Sequence, residues 1–336
     1  MTNILFRCDG SIKIGMGHVI RCLALADHLK ENHGCKIHFA MRKSELGINR
    51  VKKSYPVIEA NEQSFDYVDW FFDCISQTQS KILIMDMRDG LTKEQLKLIK
   101  KKTGIKVVTI DDPEDKRLEA DLAFYPPVPQ LEKLNWDGFE GELYVGWEYV
   151  LLRKEFLKQY PKPKNSIPNI LVSMGATDGK NMTEFVINSL DRIIEKFKVR
   201  IIVGSGYPYL KNLNKTLEEV HFEFELLQNP KDIAKIMSQS DFSIISFGQT
   251  AYELAALNVS ALYLCLTEDH VESAKLFMNE DFGKCLGVFP NIDKLKFINS
   301  INNYLLKYSN KQQLSPFVSL MDGLDNISDA IMSLKK

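Results

Sequence analysis

Apolar runs of strand length, each ending in a polar or glycine-bearing turn and passing straight into an amphipathic segment, recur along this chain. Asn3 to Arg7 is the first such run. A glycine-bearing loop follows, and then Val19 to Glu31, whose Cys22, Leu25, Ala26 and Leu29 share one helical face. Lys36 to Met41 reads as a second strand. Lys81 to Asp86 is almost continuously apolar and ends in an acid, as strands buried on both faces of a parallel sheet often do. Thr92 to Lys102 is an amphipathic helix, and Lys106 to Ile110 is a strand that runs into the acidic turn Asp111-Asp112-Pro113. Alternation of this kind implies parallel pairing with helices on both faces of the sheet.

The alternation breaks between about 150 and 168. Tyr160 to Pro168 holds three prolines and two lysines without apolar periodicity and reads as a linker, a long loop being the plainer alternative. Beyond it the sequence predicts strands over 169–174, 199–203, 242–246 and 261–266, helices over 182–195, 229–240 and 250–257, and a last helix over 322–334. A length of 336 residues suits two domains. The expected organisation is α/β, with a Rossmann-like domain over 1–155, a second over 169–320 and a C-terminal helix over 321–336. Two doubly wound domains would face a central cleft, with ligands bound beyond the carboxyl ends of the strands.

Composition removes other classes. The chain carries 43 Lys and Arg against 44 Asp and Glu, a net charge of −1, where a general nucleic-acid binder would carry a basic surplus. No uninterrupted apolar stretch approaches ~18 residues, so no membrane span is expected. The six cysteines form no Cys-x-x-Cys pair and read as buried reduced thiols. Met1 to Phe6 enters a strand directly, without a signal-peptide pattern, and the expected compartment is the cytoplasm. Oligomeric state leaves no mark in the sequence.

The loops after strands carry the chemistry. In Arg7 to Cys22, Gly15 and Gly17 let a ligand approach the backbone, and the helix start offers amides with partial positive charge. The third glycine of a dinucleotide fingerprint is missing. His18 falls in the first helical turn. A helix start disfavours the imidazolium, which suits a general base; a histidine that merely caps or packs is the alternative. Asp9 is the candidate to orient or electrostatically balance His18, or else a turn former beside Gly10. A second loop, Ser173 to Asn181, presents Gly175, Ala176 and Thr177 toward phosphate oxygens, or is an ordinary turn. In a third, Gly248 ends a strand, and Gln249 and Thr250 open a helix. Glu253, one turn in, is placed to take both ribose hydroxyls or to cap the helix. Asp269 and His270 follow the 261–266 strand. No metal site and no cofactor are expected. His28, His33 and His38 are assigned to a helix, a loop and a strand, and His221 to a strand surface.

These loops resemble a known family. Leu5 to His18 with Arg21 to Ala26 is similar to the opening motif of the PseG/SpsG family. The similarity returns in Val145 to Phe156, Ser173 to Asp178, Thr250 to Ala256, and Asp322-Gly323 with Ile327 to Ile331. The resemblance implies a GT-B-like, MurG-related fold. It also implies hydrolysis of a UDP-linked diacetamido-trideoxy sugar, as in pseudaminic acid and surface-polysaccharide biosynthesis. It makes His18 the base that activates water for inverting, metal-independent C–O cleavage. Gln249 and Thr250 would then lie near the diphosphate, and Glu253 on the ribose. Two loops depart from the family. Asp86-Met87-Arg88 stands where its members carry Asp-His-Tyr, and Asp269-His270 where they carry Asn-Gln. Both loops would face the sugar, where Arg88 could pair with a carboxylate or phosphate. The alternative readings are a glycosyltransferase, with a hydroxyl acceptor in place of water, and a non-catalytic nucleotide-sugar binder.

Overall fold

The computed structural model describes residues 1–11, 13–42, 45–62, 65–88, 90–162, 166–280, 282–309 and 322–334. Asp89 and the centre of the Tyr160 to Pro168 segment lie outside them. The chain divides into two compact units, Met1–Arg153 with Ser319–Lys336, and Lys154–Val318.

The first unit is built on seven parallel strands. They are β1 (Asn3–Cys8), β2 (Lys36–Met41), β3 (Val57–Glu59), β4 (Ile82–Asp86), β5 (Lys106–Ile110), β6 (Leu122–Tyr125) and β7 (Glu142–Val145), in the spatial order β3-β2-β1-β4-β5-β6-β7. Helices α1 (Gly17–His33), α2 (Glu45–Val51), α3 (Tyr67–Thr78) and α4 (Lys93–Thr103) cover it. β1 shows why both faces are covered. Ile4 and Phe6 enter the core that holds α1, while Leu5 enters the one that holds α3 and α4. All three are fully buried, each such side chain contributing roughly 1.5–3 kcal/mol. The chain steps outward from β1 to β3, then returns to place β4 on the other side of β1. Cys8 pairs in register with Asp86, so the ends of β1 and β4 lie level.

The second unit repeats the plan with six parallel strands. In chain order it runs β8 (Asn169–Ser173), α5 (Met182–Leu190), β9 (Lys198–Val203), α6 (Leu210–Leu217), β10 (Glu223–Gln228), α7 (Ile233–Ser238), β11 (Phe242–Ser246), α8 (Gln249–Ala256), β12 (Ala261–Cys265), α9 (Glu268–Asn279), β13 (Gly283–Val288) and α10 (Lys294–Ser309). The spatial order is β10-β9-β8-β11-β12-β13, so the direction reverses between β8 and β11. Two predicted helices are shorter than expected. The one at 182–195 ends at Leu190, where the buried stripe of Met182, Val186, Ile187 and Leu190 stops and Ile194 stands almost fully exposed. The one at 229–240 begins only at Ile233, because Asn229 takes a left-handed turn and Pro230 follows it.

The last helix, α11 (Gly323–Ser333), returns to the first unit. Leu324, Ile327 and Ile331 complete the core against α1. A Cβ on Gly323 would stand 2.0 Å from the carbonyl oxygen of Val150. Gly323→Ala is therefore expected to destabilise this docking by about 1–3 kcal/mol, read as a lowered denaturant midpoint. Among the described residues no helix is long and apolar enough to cross a membrane. The six cysteines are free thiols; five are buried and Cys285 is half-buried.

Candidate active site

The site in the first unit is built where the strand order reverses, at the carboxyl ends of β1 and β4. Such a switch point is where doubly wound sheets bind ligands. The loop after β1 closes on itself: Ser11 and Gly15 exchange backbone hydrogen bonds at 3.1 and 2.8 Å, and Gly15 takes φ 79°, which a side chain would resist. Gly17 then opens α1. No side chain caps that helix start among the described residues, and His18 lies in its first turn, one quarter exposed.

His18 Nδ1 lies 2.7 Å from Oδ1 of Asp86, the last residue of β4. A carboxylate so placed takes the Nδ1–H, and in the neutral ring Nε2 keeps the lone pair. Asp86 is fully buried. Arg21, one turn after His18 on α1, holds the same carboxylate through two bonds of 2.5 Å, Nε to Oδ2 and Nη2 to Oδ1. Arg21 also reaches Oδ2 of Asp111, just past β5, at 3.3 Å. Burial by itself would raise the Asp86 carboxyl. The facing Arg21 guanidinium and His18 outweigh it and hold the group well below the usual carboxylate range. Burial also opposes the charge of Arg21, and Asp86 and Asp111 outweigh that in turn.

Asp9, expected to orient His18, does not face it. Its Oδ2 accepts from the buried Arg7 at 2.6 Å and its Oδ1 from the backbone N–H of Arg42 at 2.9 Å. Asp9 thus fixes the start of the loop, while the carboxylate on His18 comes from a strand 68 residues away. Sequence proximity pointed to Asp9; the strand order supplies Asp86. The usable signal was the acid closing an otherwise apolar strand. After it, Met87 is buried and Arg88 exposed.

In the second unit the candidate loops follow β8 and β11, the pair between which the order reverses. They differ in what their helix starts offer. Gly175 takes φ 82°, and Gly204 at the end of β9 leaves room for Ala176, whose carbonyl would stand 2.3 Å from a Cβ there. Thr177 is buried. Asp178 accepts from the backbone N–H groups of Met182 and Thr183, both at 2.8 Å, so the first amides of α5 are already used. The start of α8 has no side-chain cap among the described residues. Gly248 is extended there, Gln249 and Thr250 are its first residues, half-buried, and Glu253 is buried one turn in. Asp269 is exposed in the first turn of α9. His270, half-buried, gives its backbone N–H to the capping hydroxyl of Thr267 at 3.2 Å.

The remaining histidines sit apart from these loops. His33, assigned to a loop, is the last residue of α1. It and His28 approach to 6.4 Å between ring centroids and face Asp329 and Asp325 of α11 at 3.6 and 3.0 Å. His221, assigned to a strand, lies on a bend ahead of β10 and takes Asp191 as partner. Among the described residues no group of three or more His, Cys, Asp or Glu could hold a metal ion.

Comparison with known proteins now bears on this arrangement. The UDP-2,4-diacetamido-2,4,6-trideoxy-beta-L-altropyranose hydrolase of Campylobacter jejuni is 29% identical over 276 residues, covering 81% of this chain and 94% of that protein. The spore coat polysaccharide biosynthesis protein SpsG of Bacillus subtilis is 24% identical over 307 residues, 89% of this chain and 88% of that one. Both relatives support the resemblance of this chain to the PseG/SpsG family. Among solved structures, MurG of Acinetobacter baumannii shares the fold, with a TM-score of 0.68 at 16% identity over 99% of this chain and all of that one. The chain thus has two parallel-sheet, Rossmann-like units with GT-B neighbours. No family model matches it.

Proposed function

We propose that this chain hydrolyses a UDP-linked amino or deoxy sugar, releasing UDP with inversion at the anomeric carbon. The observation that carries the reading is the 2.7 Å contact of His18 with buried Asp86 at the switch point of the first sheet. It leaves one imidazole nitrogen as a proton acceptor, as a general base requires. Relationship to the Campylobacter jejuni hydrolase supports the substrate class.

The steps balance without a cofactor. His18 Nε2 takes a proton from water as the water oxygen forms a bond to the sugar C1. The bond from C1 to the diphosphate oxygen breaks on the opposite side, and its electron pair leaves with UDP. One displacement by an activated water gives inversion. The leaving diphosphate needs its charge stabilised more than it needs an acid, and oriented amides serve that role. We assign this to the α8 start, with Gly248, Gln249 and Thr250, and secondarily to Gly175, Ala176 and Thr177. Gly15 and Gly17 keep the backbone open beside His18. Glu253 takes the ribose hydroxyls. Arg88, Asp269 and His270 are assigned to the sugar. In this reading residues 1–155 supply the base and residues 169–320 the nucleotide site. A cytoplasmic setting, which the reduced thiols suit, belongs to the same reading.

The test incubates purified protein with UDP-2,4-diacetamido-2,4,6-trideoxy-altropyranose and related UDP sugars, with and without hydroxyl acceptors. Release of UDP and free sugar without acceptor is expected. Release only with an acceptor would make the chain a glycosyltransferase. Binding of UDP with no turnover on any sugar would make it a carrier.

A further inference from the structure

We propose that Arg21 is a positioning residue which, braced by Asp111, supplies the positive charge that buried Asp86 requires, so that Asp86 takes the Nδ1–H of His18 without fixing a second proton on the ring. The inference rests on the base role given to His18 and explains why that base is built with a cation beside it.

A carboxylate without exposed surface must be balanced by a charge or by hydrogen bonds. Asp86 has two candidate cations within reach, His18 at 2.7 Å and Arg21 at 2.5 Å. If His18 alone balanced it, the stable state would be an ion pair, with both ring nitrogens protonated and no lone pair for water. Arg21 removes that need. Its planar fork meets both carboxylate oxygens, the strong bidentate geometry, and it stays charged at every working pH. Its Nη2 also stands 3.2 Å from His18 Nδ1, where a cation opposes a second ring charge. Asp111 holds the far side of the guanidinium from a left-handed turn at φ 52°, so Arg21 is gripped from two adjacent strand ends. A titratable thiol also faces this cluster. Cys22 on α1 lies 3.5 Å from Asp86 Oδ2, and both burial and neighbouring Cys8 of β1 raise its thiol, so Cys22 brings no competing charge.

The test reads the imidazole nitrogens by NMR in full-length protein labelled at its six histidines, the His18 signal being assigned by its loss in His18→Asn. It needs no substrate. At a pH where the wild-type ring carries one proton, on Nδ1, Arg21→Leu should move His18 toward the doubly protonated form. Arg21→Lys keeps the charge without the fork. It should keep the wild-type nitrogen pattern while kcat falls roughly a hundred-fold through misplacement, with KM little changed. The Arg21→Leu, Asp86→Asn double variant removes both charges together and should return the ring to one proton. A folded Arg21→Leu protein with an unchanged nitrogen pattern overturns the proposal. If Arg21→Leu does not fold, a doubly protonated ring in the double variant overturns it, because no carboxylate then remains to hold the second proton. Full turnover in His18→Asn would defeat the base role itself, which this nitrogen pattern measures separately.

Discussion

His18→Asn is expected to bind UDP as the wild type does and to lose turnover by roughly a hundred- to ten-thousand-fold, the usual worth of a general base. Asn has no proton acceptor of comparable basicity, so water at C1 would have to attack unassisted. Nucleotide affinity should survive because its assigned contacts, at the α8 start and Glu253, lie in the other unit. Calorimetry with UDP and a steady-state assay of UDP release check the two halves together. Loss of both would mean that His18 shapes the fold or the nucleotide site; loss of neither would remove it from the chemistry.

Asp86→Asn is expected to damage both stability and catalysis. The amide can still accept from His18 Nδ1, but it returns no charge to Arg21 and turns an N–H group toward it. Removing one partner of a buried ion pair typically costs about 3–5 kcal/mol, read as a lower urea midpoint. Turnover should fall by roughly a hundred-fold or more, because a neutral amide does not offset the positive charge that His18 develops as it takes a proton. The pH dependence has a definite sign. The Asp86 carboxyl is held below its ordinary range in the folded protein by Arg21 and His18, against burial. Its stabilisation is therefore complete above the ordinary carboxylate value, about pH 4, and is lost as pH falls below that. Wild-type stability should drop on this acid side, and the Asp86→Asn curve should drop less steeply. Parallel curves would show that Asp86 does not carry its charge as the geometry implies.

Much of the sheet was legible because buried parallel strands write themselves as apolar runs. β2, β5 and β11 fall on their expected residues, and β1, β4, β8, β9 and β12 within one. β10 was not legible: as an edge strand it keeps Glu223, Phe224 and Glu225 exposed, so it has no buried run to read. α3 was missed although Asp66 caps it and Tyr67, Trp70, Phe71, Cys74 and Ile75 follow a helical stripe, because the segment between β2 and β4 went unread.

The site was legible wherever a residue's position follows from its own loop. His18 is determined by the strand, glycine turn and helix around it. Asp86 and Asp111 are not, because they join His18 and Arg21 only after the sheet order has set β1, β4 and β5 side by side. Spacing favours Asp9, nine residues from His18, over a carboxylate 68 residues away. In the second unit, sequence treated the helix starts after β8 and β11 alike. Only the structure shows that Asp178 takes the first amides of α5, whereas the start of α8 has no side-chain cap among the described residues.

Hydrolysis in oxygen-18 water, followed by mass spectrometry of both products and NMR of the freshly released sugar, tests the account most directly. It predicts the heavy oxygen on the anomeric carbon, none in UDP, and a first-formed anomer inverted relative to the substrate. Heavy oxygen in the UDP phosphate, or a retained anomer, would contradict it.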